Sequence, residues 1–233
     1  MPLIRIERAD DAAVVCFHRP PVNAFNLPLV EELRERLEEL AADLPAAGLV
    51  VTGDGGALSG GVDFKEVPRY TAEERARMIG QINAAITLLY GLPTATVAAV
   101  NGSAIGGAFV VMLACDTRIA AEGEMQLALT EVTAGIPYPA CPMEVVKAEI
   151  EPSYRRHLVL TGEAIKPNTA HARGLVDEIV APENLLPRAL ELARLRAAAP
   201  SYARVKEQLR GEALARMRAI IATARDPMLE QWI

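Results

Sequence analysis

The sequence has few aromatic residues and no long hydrophobic run. Aromatic residues make up 4% of the 233 positions, whereas 51% of the positions are hydrophobic. The hydrophobic residues are mostly Ala, Val, Leu and Ile, in short segments that charge, Gly or Pro interrupts. Each segment ends well before the roughly 20 residues that a membrane-spanning helix needs. The pattern therefore argues against a membrane protein and predicts a globular domain with an aliphatic core.

Cysteine and histidine are also scarce. The chain has three cysteines, Cys16, Cys115 and Cys141, which lie far apart in apolar surroundings and form no CxxC pair. This spacing argues against a disulfide scaffold or a zinc site and predicts buried, reduced thiols. The three histidines are equally isolated, so we predict no metal site.

Basic residues are in the minority. The chain has 24 Lys and Arg against 30 Asp and Glu, a net charge of -6. This balance gives no reason to expect a nucleic-acid partner. The first residues, MPLIRIERADD, show no basic stretch leading into an apolar segment, and we therefore predict a cytoplasmic protein.

The hydrophobic pattern alternates between strand and helix. The sequence predicts a hairpin of residues 3–7 and 13–17, strands at 48–52, 96–100, 116–121 and 124–127, and helices at 27–42, 71–89 and 108–114. The second of these helices begins at a capping box, Thr71 to Glu74. From residue 142 the pattern is mainly helical, with a strand-like segment at 176–180. The predicted fold class is α/β, with repeated ββα units.

Two glycine-rich loops follow predicted strands. Residues 53–61 read GDGGALSGG, but Leu58 stands where a dinucleotide-binding GxGxxG motif needs glycine, so an NAD-type site is a weak alternative. Loops 57–63 and 102–107 let backbone N–H groups approach a ligand closely. The second loop also opens a helix at Gly107, where unpaired N–H groups favour an anion. Two such donors on one carbonyl oxygen would form an oxyanion hole, although each loop alone is also typical of a tight turn or of close packing.

Six segments occur together in a recognisable order. They are RPPVNA at 19–24, ALSGGVDFKE at 57–66, VAAVNGSAIGGA at 97–108, CDTRIA at 115–120, EVTAGIP at 131–137, and LTG at 160–162 with ARGLVD at 172–177. This series resembles the crotonase superfamily, the enoyl-CoA hydratases and isomerases. The resemblance implies a spiral of ββα turns, an acyl-CoA thioester as substrate and a homotrimer or hexamer. It implies no cofactor except the CoA of the substrate. Residues 1–160 would form the ββα core with the acyl-CoA site, and residues 161–233 a C-terminal helical trimerisation region.

The resemblance also assigns site residues. The two oxyanion donors of the family fall on the N–H groups of Gly60 and Gly107. The substrate-binding residues expected around them are Ala24, Ser59, Gly61, Val62, Asp63, Phe64, Gly106, Val110 and Tyr138.

The positions of the family's two catalytic glutamates differ in this chain. Val110 stands at the first position and Glu131 at the second. Hydration benefits from two groups that hold a water molecule and move its protons. The family's Δ3,Δ2-enoyl-CoA isomerases keep only the second glutamate, which removes a proton from C2 and returns it at C4. The sequence therefore favours isomerisation by Glu131.

The apolar neighbours of Glu131 predict a raised pKa for its carboxyl group, which suits a residue that takes and returns a proton. Three alternatives stay open: a hydratase that uses Glu131 alone or recruits Glu144, a non-catalytic acyl-CoA-binding subunit, and a Glu131 that lies on the surface.

Residues 138–142 read YPACP in place of the family's usual glycine-rich continuation. We therefore expect an acyl pocket of unusual shape, lined in part by Tyr138.

Overall fold

The computed structural model describes residues 1–231, and the side chains of residues 1–229. Its main sheet has six strands in the order β1-β2-β3-β5-β7-β9. These strands are β1 (Ile4–Ala9), β2 (Ala12–Phe17), β3 (Leu49–Gly53), β5 (Thr96–Val100), β7 (Thr117–Ala121) and β9 (Glu178–Val180). The first pair is an antiparallel hairpin, as predicted, and every later pair is parallel.

A second, smaller sheet lies beside the first. Its strands β4 (Ala57–Ser59), β6 (Ser103–Ile105) and β8 (Leu127–Ala128) pair in parallel. Consecutive units of the chain thus place one strand in each sheet and then a helix: β3-β4-α2 (Ala72–Gly91), β5-β6-α3 (Gly107–Ala114) and β7-β8-α4 (Glu131–Ala134). The topology confirms the predicted α/β spiral of ββα turns.

The described residues form ten α-helices. Those of the first two thirds are α1 (Leu27–Ala42), α2 (Ala72–Gly91), α3 (Gly107–Ala114), α4 (Glu131–Ala134) and α5 (Ala140–Glu149). The remaining ones are α6 (Pro152–Thr161), α7 (Pro167–Ala172), α8 (Leu185–Ala197), α9 (Tyr202–Thr223) and α10 (Pro227–Gln231). None of the described helices is long and apolar enough to cross a bilayer.

Local sequence signals explain where the long helices begin. Asn26 caps α1 by accepting a hydrogen bond from the N–H of Leu29 at 3.1 Å. The predicted capping box of α2 is present, because Thr71 and Glu74 bond reciprocally to each other's backbone N–H. The apolar face of α1, Leu29, Val30, Leu33, Leu37 and Leu40, is buried in the core.

Strands β4 and β6 lie inside the two segments that the sequence predicts to be loops. Each has only three residues, too few for a hydrophobic period to show, and their partners are remote in sequence. The two segments pack very closely, since a Cβ atom on Gly102 would lie 2.0 Å from the carbonyl oxygen of Gly56. Glycine at this position is therefore required by packing.

The C-terminal residues are part of the same molecular core. Strand β9 pairs with β7, α8 packs on β3, β5 and β7, and α9 packs on α2 and α5. The predicted boundary at residue 160 therefore does not separate the sheet from the helices. The assignment of residues 161–233 to trimerisation stays a prediction, and its last two residues lie outside the described ones.

A buried cluster of charges fixes α9 to the spiral. Asp116 contacts Lys206 Nζ at 2.9 Å and Arg210 Nη1 at 2.8 Å, and all three side chains are at most 10% exposed. Arg118 instead pairs with Glu149. Asp116 thus faces α9 and not Arg118, although the two residues are only two positions apart.

Candidate active site

The first glycine-rich loop is held by two side-chain amides, of which that of Asn23 is fully buried. Asn23, with a φ of 52°, donates from Nδ2 to the carbonyl oxygens of Asp54 and Ala57, each at 2.9 Å. Asn101 accepts from the N–H of Gly53 at 3.1 Å and donates to the carbonyl oxygen of Gly55 at 2.9 Å. These bonds connect the loop to the ends of β2 and β5, so the strand that leaves the loop, β4, has a fixed position.

The N–H of Gly60 is already bonded. It donates to the carbonyl oxygen of Val22 at 2.7 Å. The sequence-based assignment of Gly60 as an oxyanion donor is therefore wrong for this structure, because its proton points at the protein's own backbone.

The N–H of Val62 is the free donor of this loop. Its neighbours bond to Phe25 on one side: the N–H of Phe25 donates to the carbonyl oxygen of Gly61 at 2.7 Å, and the N–H of Asp63 donates to the carbonyl oxygen of Phe25 at 2.9 Å. In an extended chain the N–H groups of successive residues point to opposite sides. The N–H of Val62, which lies between Gly61 and Asp63, therefore points away from Phe25. Accordingly, the N–H of Val62 has no acceptor among the described residues, and Val62 lines the pocket described below.

The second loop places the N-terminus of α3 at the same pocket. Gly106, at φ 55° and ψ -119°, adopts a conformation that only glycine takes easily. Its N–H donates to the carbonyl oxygen of Ala128 at 2.7 Å. The following residue, Gly107, is the first of α3, and within residues 1–231 its N–H donates to no acceptor. The unpaired N–H and the positive end of the helix dipole together favour negative charge there.

Glu131 lies directly over this turn. A Cβ atom on Gly106 would be 3.3 Å from Oε1 of Glu131, which places the carboxylate next to the proposed oxyanion donor. Glu131 is the first residue of the short helix α4 and is 6% exposed. The alternative of a surface residue is therefore wrong.

Burial raises the pKa of the Glu131 carboxyl group above its ordinary value, and the nearby backbone N–H of Glu131 and hydroxyl of Tyr138 offset this only in part. The direction agrees with the sequence-based prediction. A carboxylate with a raised pKa is a stronger base than an exposed one, which helps it to remove a weakly acidic proton.

The pocket in front of Glu131 is otherwise apolar. Its walls include Leu33 from α1, Ile82 and Ile86 from α2, Val111 from α3, and Met228 from α10. Among the residues that line it, Glu131 carries the single ionisable side chain. Such a pocket can receive an aliphatic chain and keep water away from the carboxylate.

Several predicted substrate-binding residues instead make contacts within the protein. Ser59 accepts the N–H of Gly61 at 3.1 Å, Asp63 accepts Arg19 Nη2 at 2.7 Å, and the carbonyl oxygen of Ala24 accepts Arg19 Nη1 at 3.0 Å. Phe64 is 50% exposed. Their contact with a substrate stays a prediction.

Val110 and Tyr138 are both buried near the pocket without lining it. Val110 is fully buried in α3, and its neighbour Val111 forms the wall instead. Tyr138 is 7% exposed, and its hydroxyl faces Glu131. Neither side chain borders the pocket in the structure, and their contact with a substrate stays a prediction.

Glu144, the alternative second carboxylate, is occupied elsewhere. It contacts Lys147 Nζ at 2.8 Å and Arg216 Nε at 2.5 Å. Burial raises the pKa of Glu144, but these two cations more than offset it, so that the pKa lies below the ordinary value. Glu144 is held as a carboxylate in an ion-pair network, away from the pocket.

The sequence gives no indication of one further part of the site. Asp226, which is 7% exposed, accepts hydrogen bonds from Asn83 Nδ2 at 2.8 Å, from the N–H of Ala140 at 2.7 Å and from the N–H of Met228 at 2.9 Å. These bonds hold α10 against α2 and α5 and place Met228 in the pocket wall. The contact joins residues 143 positions apart, so no local pattern predicts it.

Comparison with known proteins gives consistent results. A family model described as enoyl-CoA hydratase/isomerase matches residues 7–231. A putative enoyl-CoA hydratase of Thermus thermophilus is 32% identical over 211 residues, 89% of this chain and 83% of that protein. A glyoxysomal β-oxidation multifunctional protein of Brassica napus is 31% identical over 181 residues, 76% of this chain but 25% of that protein, so the chain spans about a quarter of its length.

Among solved structures, a protein of Mycobacterium tuberculosis superposes with a TM-score of 0.86 at 27% identity in two structures. One structure describes it as a probable enoyl-CoA hydratase and covers 94% of this chain and 93% of that one, and the other describes it as an enoyl-CoA isomerase and covers 96% and 97%. The fold agrees with that of these relatives. The chain therefore belongs to the enoyl-CoA hydratase/isomerase family of the crotonase superfamily, which acts on acyl-CoA thioesters.

Proposed function

We propose that this protein moves the double bond of a 3-enoyl-CoA to the 2-position, with Glu131 as its acid and base. The observation that carries the proposal is the single carboxylate in an apolar pocket, buried and with a raised pKa. One such group suffices for a reaction that removes and returns one proton.

The proposed reaction uses three groups of this chain. The Glu131 carboxylate takes a proton from C2 of the thioester. The negative charge then moves to the thioester oxygen, where the N–H groups of Val62 and Gly107 stabilise it as an oxyanion hole. The protonated Glu131 returns the proton to C4, and the double bond ends between C2 and C3. No cofactor beyond the CoA of the substrate is required.

A hydratase is the first alternative, since named relatives include hydratases. Hydration needs a water molecule held between groups that move its protons. At position 110 a buried valine stands where such a group would be needed, and the carboxylate of Glu144 is paired with Lys147 and Arg216. These two observations favour isomerisation over hydration.

A non-catalytic acyl-CoA-binding subunit is the second alternative. It would need the pocket and the backbone donors but no proton acceptor. The burial of a carboxylate beside the donors is a cost to the folded protein that binding alone does not explain. This argues for catalysis.

The test supplies a 2-enoyl-CoA and a 3-enoyl-CoA in parallel and follows both products by chromatography. We expect turnover of the 3-enoyl thioester, and a loss of at least about a hundredfold in kcat for Glu131→Gln. Hydration of the 2-enoyl thioester alone would contradict the isomerase proposal. Acyl-CoA binding without any Glu131-dependent turnover would support the non-catalytic subunit.

We also propose that the protein works as a homotrimer or a hexamer. Apolar side chains remain exposed on the C-terminal helices, with Leu195 63%, Val205 57% and Leu209 81% exposed. Contacts between copies of the chain would cover such a surface. The cytoplasmic location stays a prediction from the sequence.

A further inference from the structure

Two buried oxygen atoms at the site lack hydrogen-bond partners. Within the part of the chain that the structure describes, Oε2 of Glu131 and the hydroxyl of Tyr138 bond to nothing. The side chains of Glu131 and Tyr138 are 6% and 7% exposed, so bulk water does not form hydrogen bonds with these two oxygen atoms. Buried polar groups are almost always paired, and a pair of unpartnered ones at a reaction centre points to a specific role.

The two groups face each other. Tyr138 is the one ionisable side chain of the described residues that acts on the pKa of Glu131, and Glu131 is likewise the one that acts on Tyr138. The turn that follows α4 creates this arrangement: Gly135 ends the helix in the left-handed region, and the N–H of Ile136 bonds back to the carbonyl oxygen of Glu131 at 3.1 Å. Tyr138, two residues later, is thereby brought to the carboxylate.

The hydroxyl approaches from outside the pocket. Glu131 lines the pocket, as do Ile136 and Pro139, but Tyr138 between them does not. The Oε1 atom lies over Gly106, on the side of the proposed oxyanion donors. The carboxylate therefore has one oxygen toward the substrate and one available to the tyrosine.

We propose that Tyr138 is a positioning residue, whose hydroxyl donates a hydrogen bond to Oε2 of Glu131 and leaves Oε1 to exchange the proton with the substrate. The proposal rests on the function proposed above. Tyr138 acts only as a donor, since burial and the nearby Glu131 raise the pKa of its hydroxyl well above its ordinary value. It therefore stays protonated while Glu131 gains and loses a proton.

Among the residues whose side chains the structure describes, no other charge acts on the pKa of Glu131. Helices α1, α2 and α3 present apolar side chains or glycine to the pocket around Glu131, as do the start of α5 and Met228 of α10. Helix α6 packs on α4, but none of its charged residues contributes to the pKa of Glu131. The proton affinity of Glu131 thus depends on burial, on its own backbone N–H and on Tyr138.

The test compares Tyr138→Phe with Tyr90→Phe. Both tyrosines are buried with their hydroxyls directed at a carboxylate, but Tyr90 donates to Glu149 at 2.8 Å, away from the pocket. Without the hydroxyl donor of Tyr138, the charged form of Glu131 is less stable and the pKa of its carboxyl group rises. We therefore expect the acid limb of the pH profile of kcat/KM to move up by about one pH unit in Tyr138→Phe. We expect no movement in Tyr90→Phe, whatever its effect on stability.

A second readout does not depend on turnover. Infrared difference spectra between wild type and Glu131→Gln, recorded without any CoA compound, follow the Glu131 carboxyl group directly. We expect it to titrate at a higher pH in the Tyr138→Phe background. An unchanged titration would overturn the proposal even if the enzyme is an isomerase, whereas a shifted titration without turnover would preserve the pairing and overturn the proposed function.

A further measurement applies if Tyr138→Phe fails to fold. Incorporation of 3-fluorotyrosine at the five tyrosines makes each hydroxyl a better donor and keeps its shape. We then expect Glu131 to titrate at a lower pH than in the unlabelled protein. The same titration in both proteins would show that Tyr138 only fills space.

Discussion

The buried Glu131 makes the stability of the protein depend on pH. Its pKa in the folded state is raised above the ordinary value that the unfolded chain shows. Between these two values the folded protein holds a proton that the unfolded chain has lost. The free energy of unfolding therefore falls as the pH rises through this window, and stays reduced above the folded-state pKa.

We predict that Glu131→Gln raises the thermal unfolding temperature above neutral pH, since the variant no longer buries a charge. The advantage should shrink toward about pH 4, where the wild-type carboxyl is protonated in both states. Calorimetry over this pH range measures the difference. Glu207→Gln, at an exposed position of α9, is the control and should show no such gain. An equal gain for Glu131→Gln at every pH would contradict the explanation.

The residues of the site were predictable to different degrees. Glu131 follows from its motif, and its apolar neighbours predict the direction of its pKa. The choice between Gly60 and Val62 does not follow from the loop sequence, because Val22 and Phe25, some 40 residues earlier, decide which N–H is free. Hydrogen bonds between remote segments are set by the fold.

Helix α10 is the element that connects the C-terminal end to the acyl pocket. Its position depends on Asp226, a buried carboxylate that accepts hydrogen bonds from Asn83, Ala140 and Met228. Because Met228 lines the pocket, the bonds of Asp226 also determine the shape available to the acyl chain.

We predict that Asp226→Ala destabilises the protein by about 2–3 kcal/mol, since it leaves the Asn83 amide and the Ala140 N–H buried without an acceptor. We also expect a higher KM for longer acyl chains, as Met228 loses its fixed position. Urea unfolding and steady-state kinetics give the two quantities. Asp43→Ala is the control: Asp43 pairs with Arg8 at 85% side-chain exposure, and its loss should change stability by less than about 0.5 kcal/mol. Equal effects of the two variants would disprove the role of Asp226.

Long elements were predictable and short ones were not. Helix α1 has the predicted bounds, residues 27 to 42, because its apolar residues recur every three or four positions and Asn26 caps it. Strands β4 and β6 have three residues each, too few for any period, and of the strand predicted at 124–127 only Leu127 lies in β8. They exist because the neighbouring turns of the spiral align them.

At the scale of the whole molecule, the buried Asp116 cluster joins the middle of the chain to its C-terminal part. Asp116 also accepts the N–H of Thr96 at 2.9 Å, so one carboxylate bonds to β5 and to α9 together. Removing one partner of a buried ion pair is strongly destabilising. The cluster thus fixes which side of α9 faces the spiral and which side is left for other contacts.

That free side of the C-terminal helices underlies the prediction for assembly. We expect light scattering to give three or six times the mass of one chain, because association would cover the exposed Leu195 and Leu209. The scarcity of aromatic residues and the abundance of aliphatic ones would then serve both the acyl pocket and the contacts between subunits. A mass of one chain at all concentrations would contradict this explanation.

The walls of the pocket come from Phe25 near one end of the chain to Met228 near the other. A site assembled in this way exists only while the entire chain is folded. Any ligand that occupies it binds the native state alone and therefore raises the unfolding temperature in proportion to the logarithm of its concentration above its Kd. A simple melting experiment against a panel of CoA thioesters thus ranks acyl groups without a knowledge of the reaction.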